Sequence, residues 1–407
     1  MTSDREKVRY WTDNGQKNAE KSTQSRLIDA LLDIWTTMPA ENISVRAVVG
    51  RAGAAQSAIH YHFQNIERLY ECASEAALNA AQGWWEDRLS ALDPLAGRPV
   101  SAQLQVSVLT STICDWAVVQ RRLAMASRRM PSAAWQAAMQ SFWLDLARRI
   151  GIGEYAETIG FYAAGEAARH LLVWDSLLDR ALLEETTEAL LTWLCARRFA
   201  GDDVRLTHRD LARCEYREPT RPLAGDTLVM AEAAAGLLAE QGYAGVTFRA
   251  VAARTGASLG KVLHLCGSKS ELLRLALHRL YEREALGDAR ELFIAQTISP
   301  QVMLDELLDA VLSGGQPVLR AYDEIELAIY NGDEFRALRG VVRSMEDPSR
   351  TWSLQQMLGG KTPPASLVAA FSAIIRGIGF DARFAEPQAG VVDWRARQAL
   401  MPFVSQV

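Results

Sequence analysis

"RAVVGRAGAAQSAIHYHF" (46–63) and "RAVAARTGASLGKVLHLC" (249–266) stand 203 residues apart in a chain of 407 residues. Laid over each other without a gap, residues 44–69 and 247–272 agree at seven of 26 positions, six of them within the first eleven. The offset is half the chain, so internal duplication explains the match better than a chance likeness between two Ala-rich segments.

Both copies read alike locally. Leu27, Ile28, Leu31, Leu32 and Trp35 recur at helical spacing, as do Ala231, Ala234, Ala235 and Leu238, so each copy opens with an amphipathic helix. In "EQGYAG" Gly242 suits a C-cap, and Ser44 and Thr247 sit where N-caps belong. The pattern predicts short helices over 45–51 and 248–254. Gly53-Ala-Ala and Gly256-Ala-Ser follow as tight turns whose glycine can take a left-handed conformation. A further helix starts near Gln56 or Leu259. Helix, short helix, glycine turn, helix is the helix-turn-helix layout.

Beyond each copy lie about 120 residues of helical pattern without strand alternation, such as "AAWQAAMQSFWLDLARRI" and "ASLVAAFSAIIRGIGF". Between the halves, Gly201 to Gly225 turns charged and Pro-containing, as a linker does. Its arginines at 205, 209, 213, 217 and 221 would line one face of a helix, available to phosphates, or simply solvate a spacer. Half the residues are hydrophobic and a quarter charged, a profile of an all-α globular protein, and the net charge of −5 excludes a generally basic nucleic-acid coat. The five cysteines form no C-x-x-C pair, which argues against a disulfide framework or a zinc site and fits a reducing cytoplasm. The polar N-terminus carries no signal-peptide core, and nowhere do 18 apolar residues run uninterrupted, so no membrane span is expected.

The stretch "SVRAVVGRAGAAQSAIHYHFQNIERLY" resembles the DNA-binding domain of the TetR/AcrR family of repressors, and "TFRAVAARTGASLGKVLHLCGSKSELL" resembles it too. The first copy carries the fuller likeness, with Tyr61, His62 and Phe63, though Ile66 stands where the family has a lysine. The second keeps Lys269, but Leu263, Leu265 and Cys266 replace the aromatic, histidine and phenylalanine. What the resemblance implies is an all-α fold of two repeats: helix-turn-helix units over 1–80 and 225–283, helical effector and dimerisation domains over 81–200 and 284–407, and a linker over 201–224. In that family the third helix enters the major groove. The implied groove-facing residues are Gln56, Ser57, His60 and Tyr61, with His62 beside them, and Ser44 and Arg46 on phosphates. In the second copy they are Leu259, Gly260, Lys261, Leu263 and His264, with Thr247, Arg249 and Lys269 toward the backbone. Gln can pair bidentately with adenine, and Arg or Lys can hold a phosphate or a guanine. Residues 22–75 hold four Lys/Arg against six Asp/Glu, and 225–284 seven against six, so neither copy is strongly basic.

The same residues carry no enzyme. His60 and His62 lie about 200° apart on a helix and make poor partners for one metal ion. Ser57 has no carboxylate placed to orient a base, and no G-x-S-x-G, Walker or dinucleotide-binding fingerprint occurs. No cofactor is expected.

"GFYAAGEAARHLLVWDS" and "VAAFSAIIRGIGFDA" fall where the family dimerises, so the two halves are expected to pack within one chain as a pseudo-dimer, alone or paired with a second copy. Nine of eleven tryptophans lie in the first half. Trp116, Trp135, Trp143 and Trp174 could line a cage for a small apolar or aromatic effector, with Arg169 or His170 as polar anchor, or they could simply fill core. Tyr322, Glu326, Tyr330 and Trp352 are a weaker set in the second half. The leading reading is a ligand-responsive regulator acting on a double-stranded DNA operator; the alternative is a helical interaction protein that kept the scaffold and lost DNA reading.

Overall fold

The computed structural model describes residues 22–36, 43–170, 176–215, 223–286, 298–314, 348–382 and 389–404, and among them every regular element is helical. The described helices are α1 (Thr23–Trp35), α2 (Val45–Ala52), α3 (Ser57–Phe63), α4 (Ile66–Ser90), α5 (Ala102–Cys114), α6 (Arg121–Arg129), α7 (Ala133–Arg149), α8 (Ala156–His170) and α9 (Ser176–Ala196). The second half continues with α10 (Asp203–Glu215), α11 (Gly225–Gly245), α12 (Phe248–Thr255), α13 (Leu259–Cys266), α14 (Lys269–Leu286), α15 (Pro300–Asp309), α16 (Pro348–Met357), α17 (Ala365–Ala382) and α18 (Ala389–Leu400). They divide between two compact units, residues 1–90 with 120–138, and residues 91–119 with 139–407.

In the N-terminal unit, α1 turns Leu27, Leu31, Leu32 and Trp35 inward as its spacing predicts, together with Ala30 and Ile34, and leaves Ile28 half-buried. A buried row at four-residue intervals, Ala73, Ala77, Ala81 and Trp85, runs along α4. The unit reaches beyond the division drawn from sequence at residue 80, because α6 docks on α1. Arg121 and Arg129 donate to the Thr36 and Trp35 carbonyls, closing the carbonyl end of α1, where positive charge is favoured. Arg122 bridges Asp29 at 3.2 Å and Asp33 at 2.8 Å on the same helix.

In the second unit, α8 and α17 cross so closely that a Cβ built on Gly165 would overlap the Ala373 carbonyl, and one built on Gly377 would overlap the Phe161 carbonyl. The two contacts are reciprocal: Phe161 and Gly165 each find their counterpart 212 residues later, in Ala373 and Gly377. By composition α17 is apolar enough to span a membrane, but 72% of it is buried inside the fold, which makes it the core helix of this unit.

The first part of the segment taken from sequence as a linker is built into this core. Ser366 Oγ donates to the Gly201 carbonyl at 3.1 Å, and Asp202 accepts from the Ala365 N–H at 3.0 Å, capping α17. Residues 203–215 are helical, the condition under which the arginines would share a face, but Arg205 turns inward and donates to Thr186 Oγ1 at 2.6 Å. Glu185 accepts from the N–H groups of Val204 and Arg205, at 2.7 and 2.9 Å. A phosphate-facing stripe that includes Arg205 is therefore corrected: the bond to Thr186 takes that arginine out of it. Arg217 and Arg221 lie outside the described residues.

Candidate nucleic-acid interface

Two helix-turn-helix units are built on one plan, in steps that keep the 203-residue offset. Ser44 caps α2 by accepting from the Ala47 N–H at 3.2 Å, and Thr247 caps α12 by accepting from the Ala250 N–H at 3.1 Å. Gly53 and Gly256 close these helices in the left-handed region, at φ 59° and 68°, where a side chain would be strained. The next helix ends the same way in both, at Gln64 (φ 71°) and Gly267 (φ 63°). Asn65 Oδ1 then accepts from the Arg68 N–H at 2.7 Å and Ser268 Oγ from the Glu271 N–H at 3.1 Å, starting α4 and α14. Beneath them, Val48, Ile59, Phe63 and Leu69 are buried in one unit, and Val251, Val262, Cys266 and Leu272 in the other.

An arginine in the last turn of the short helix braces each unit. Arg51 binds Asp33 at 3.1 Å and Arg254 binds Glu240 at 2.6 Å, so the short helix is tied to the helix before it. These two braces were missed in the sequence, although both arginines are among the identities; the acidic partners sit at unequal positions, Asp33 and Glu240, and leave no repeat signal. Gly242 interrupts α11 at φ 71°, separating the final turn before Thr247.

The outward residues differ. Ser44, Arg46, Gln56, Ser57, His60 and Tyr61 are exposed, Tyr61 at 84%, so the first unit presents donors, acceptors and an aromatic ring to solvent. His62 is half-buried and packs edge-on against Tyr61, and His60 Nδ1 donates to the Gln64 carbonyl at 2.8 Å, which fixes that ring at the helix end. In the second unit Thr247, Arg249, Lys261 and His264 are exposed and Lys269 is half-buried. Lys261 is held by Asp226 at 2.7 Å, a pair open to solvent that a phosphate can compete for.

The residues expected to line an effector cage do not form one group. Trp135 belongs to the N-terminal unit, where its Nε1 donates to Ser74 Oγ at 3.0 Å and its ring meets Trp85 edge-on. Trp116 and Trp143 are buried in the second unit, and Trp143 backs onto Gly160 of α8. All three fill core. Trp174, Tyr322, Glu326 and Tyr330 lie outside the described residues. Arg169 and His170 are spent on Glu166, which is 2% exposed, each at 3.3 Å. Burial alone would raise the Glu166 carboxyl, but Arg169, the His170 hydrogen bond and Arg205 outweigh it and hold the group at about 2. Tyr162 OH and Thr187 Oγ1 lie 2.8 Å apart nearby, and burial pushes the tyrosine well above its ordinary value.

Each of the two segments has the local geometry of a helix-turn-helix unit. Residues 231–276 match the model for bacterial regulatory proteins of the tetR family. That span runs from α11 into α14 and supports a DNA-binding transcriptional regulator. The match falls on the second copy, the reverse of what the fuller Tyr-His-Phe ending of the first led the sequence to suggest. No curated protein matches the chain.

Proposed function

We propose that the protein is a repressor of transcription in the cytoplasm, in which one chain carries two unlike DNA-reading heads and takes the place of a dimer. Paired offsets support this: 203 residues through both helix-turn-helix units, and 212 residues across the reciprocal glycine crossing of α8 and α17. A two-fold interface pairs residue i with j and j with i, and the Gly165–Ala373 and Gly377–Phe161 contacts obey that rule within one polypeptide. In each head the exposed N-cap hydroxyl and the arginine two residues on hold phosphates, and the third helix reads base edges.

A small molecule adjusts this binding from the helical body. The support is a polar cluster of Arg169, His170 and Arg205 around the buried Glu166. Such a cluster suits a ligand with a polar group rather than a wholly apolar one. Intrinsic tryptophan fluorescence titrated with a panel of small acids and aromatics checks it; a flat response across the panel sinks it.

Selection of bound duplexes from random DNA, followed by light scattering of the complex, tests the main reading. Two different half-sites held by one chain are expected, with binding lost or weakened tenfold or more in Tyr61→Ala and in Arg249→Ala. Enrichment of a palindrome, or of nothing, defeats it.

A further inference from the structure

We infer that the second head reads its half-site through the C5-methyl groups of thymine, by way of Leu259 and Leu263. This rests on the reading that α13 enters a major groove. At the places where α3 carries Gln56 and His60, α13 carries these two leucines. The helix satisfies its core through Val262 and Cys266, both fully buried, and has no internal use for a second apolar row. Yet Leu259 and Leu263, one turn apart on its outer flank, stay 41% and 43% exposed.

Between them Gly260 offers no side chain, and a Cβ built on it would meet nothing within 4 Å, so a groove edge can come close to the backbone there. Leucine has no donor or acceptor and cannot read a base by hydrogen bonds. It can only recognise apolar surface, and in the major groove thymine is the base that presents a methyl group. The same helix-turn-helix unit exposes Thr247 and Arg249 at the start of α12 and the Ser258 cap at the start of α13, phosphate-binding chemistry that favours DNA over a protein partner as the occupant. His264 supplies a polar contact beside them. The two heads then discriminate by different physics: hydrogen bonding in the first, methyl burial in the second.

The test uses the full chain and duplexes enriched from random DNA. Thymines of one half-site at a time are replaced by deoxyuridine, which removes the methyl and keeps the pairing edge. Burying one methyl group is worth about fourfold in affinity. The expected result is about a fourfold loss per replaced contact thymine in the half-site read by α13. The loss should vanish in Leu259→Ala/Leu263→Ala, while affinity for the other half-site and the melting temperature hold. Leu259→Gln/Leu263→Gln should shift the selected bases of that half-site from thymine toward adenine. If deoxyuridine costs nothing in either half-site while the protein still binds, this inference falls and the main reading stands. If the alanine variant binds every duplex as the parent does, the leucines are a protein-docking face instead. If selection enriches no sequence, both readings fall together.

Discussion

The two helix-turn-helix units share a skeleton and almost nothing of their outer surface. At 203-residue spacing they repeat an N-cap hydroxyl, a left-handed glycine, a bracing arginine and a buried aliphatic pair, Val48 with Ile59 and Val251 with Val262. Each of these answers a local demand of the backbone or the core that few other residues meet. The outward positions answer to no such demand and have drifted from Gln56, His60 and Tyr61 to Leu259, Leu263 and His264. The difference teaches that the layout of the two units is held by packing, and that under the proposed function the choice of DNA would be written in their exposed residues.

The largest expected contrast lies in the cores of the two heads. Phe63 and Cys266 hold the same place, both buried, but they differ greatly in volume. Phe63→Ala should cost about 4 kcal/mol and Cys266→Ala about 1, since the loss grows with the cavity left behind. Thermal melts of both variants check this. Near-equal losses would mean that the small Cys266 site is packed around in some other way and that the heads are not equivalent in register.

The glycine crossing is next. Gly165→Ala and Gly377→Ala each force α8 and α17 apart against a carbonyl, and each should cost about 3 kcal/mol. The comparison is sharper than either number. If the crossing has two-fold character the two losses agree; if one exceeds the other several-fold, the symmetry is only apparent.

The polar cluster breaks that symmetry by design. Glu166 has its counterpart 212 residues on in Ile378, so one half of the crossing carries a buried charge and the other a buried aliphatic side chain. Its folded-state value of about 2 lies below the ordinary 4.5. A depressed carboxyl stabilises the fold above its unfolded value, and the contribution is lost as pH falls from about 4.5 through 2. That loss, on the order of 3 kcal/mol, should appear as a drop in melting temperature across that window and be absent in Glu166→Gln. A variant that melts with the parent's acid sensitivity would assign the loss to other carboxylates.

Much of the heads was legible in the sequence, because caps, glycine turns and 3.6-residue spacing are short-range rules. Ser44, Gly53 and Thr247 act as read, and the short helices end within a residue of where the pattern put them. The crossing was legible only as a pairing of two segments. Which glycines meet which carbonyls depends on helix orientation, and neither Gly165 nor Gly377 stands out in an Ala- and Gly-rich stretch. Arg205 was misread because arginine spacing says which residues share a face and not which face is buried; a helix beside α9 had to be in place first. The tryptophans left both readings open, cage wall or core, for a related reason. Large aromatics signal burial, and burial alone does not distinguish the Trp135 contact with Ser74 from the wall of a cavity.

The smallest effect bears on what the caps do. Ser44 and Thr247 each satisfy one helix N–H in the free protein, so Ser44→Ala and Thr247→Ala should each cost about 1 kcal/mol, and about equally. Both hydroxyls are also exposed where a phosphate would arrive. Glycine separates the two roles, because it serves as a helix cap at a cost of only a few tenths of a kcal/mol but has no hydroxyl to offer. If the hydroxyls touch DNA, Ser44→Gly and Ser44→Ala lower affinity alike while only the alanine variant lowers the melting temperature. If affinity follows stability instead, the hydroxyls are caps alone, and phosphate binding falls to Arg46 and Arg249. Arg249→Ala would then reduce the salt dependence of binding by about one phosphate contact, and Thr247→Gly would leave it unchanged.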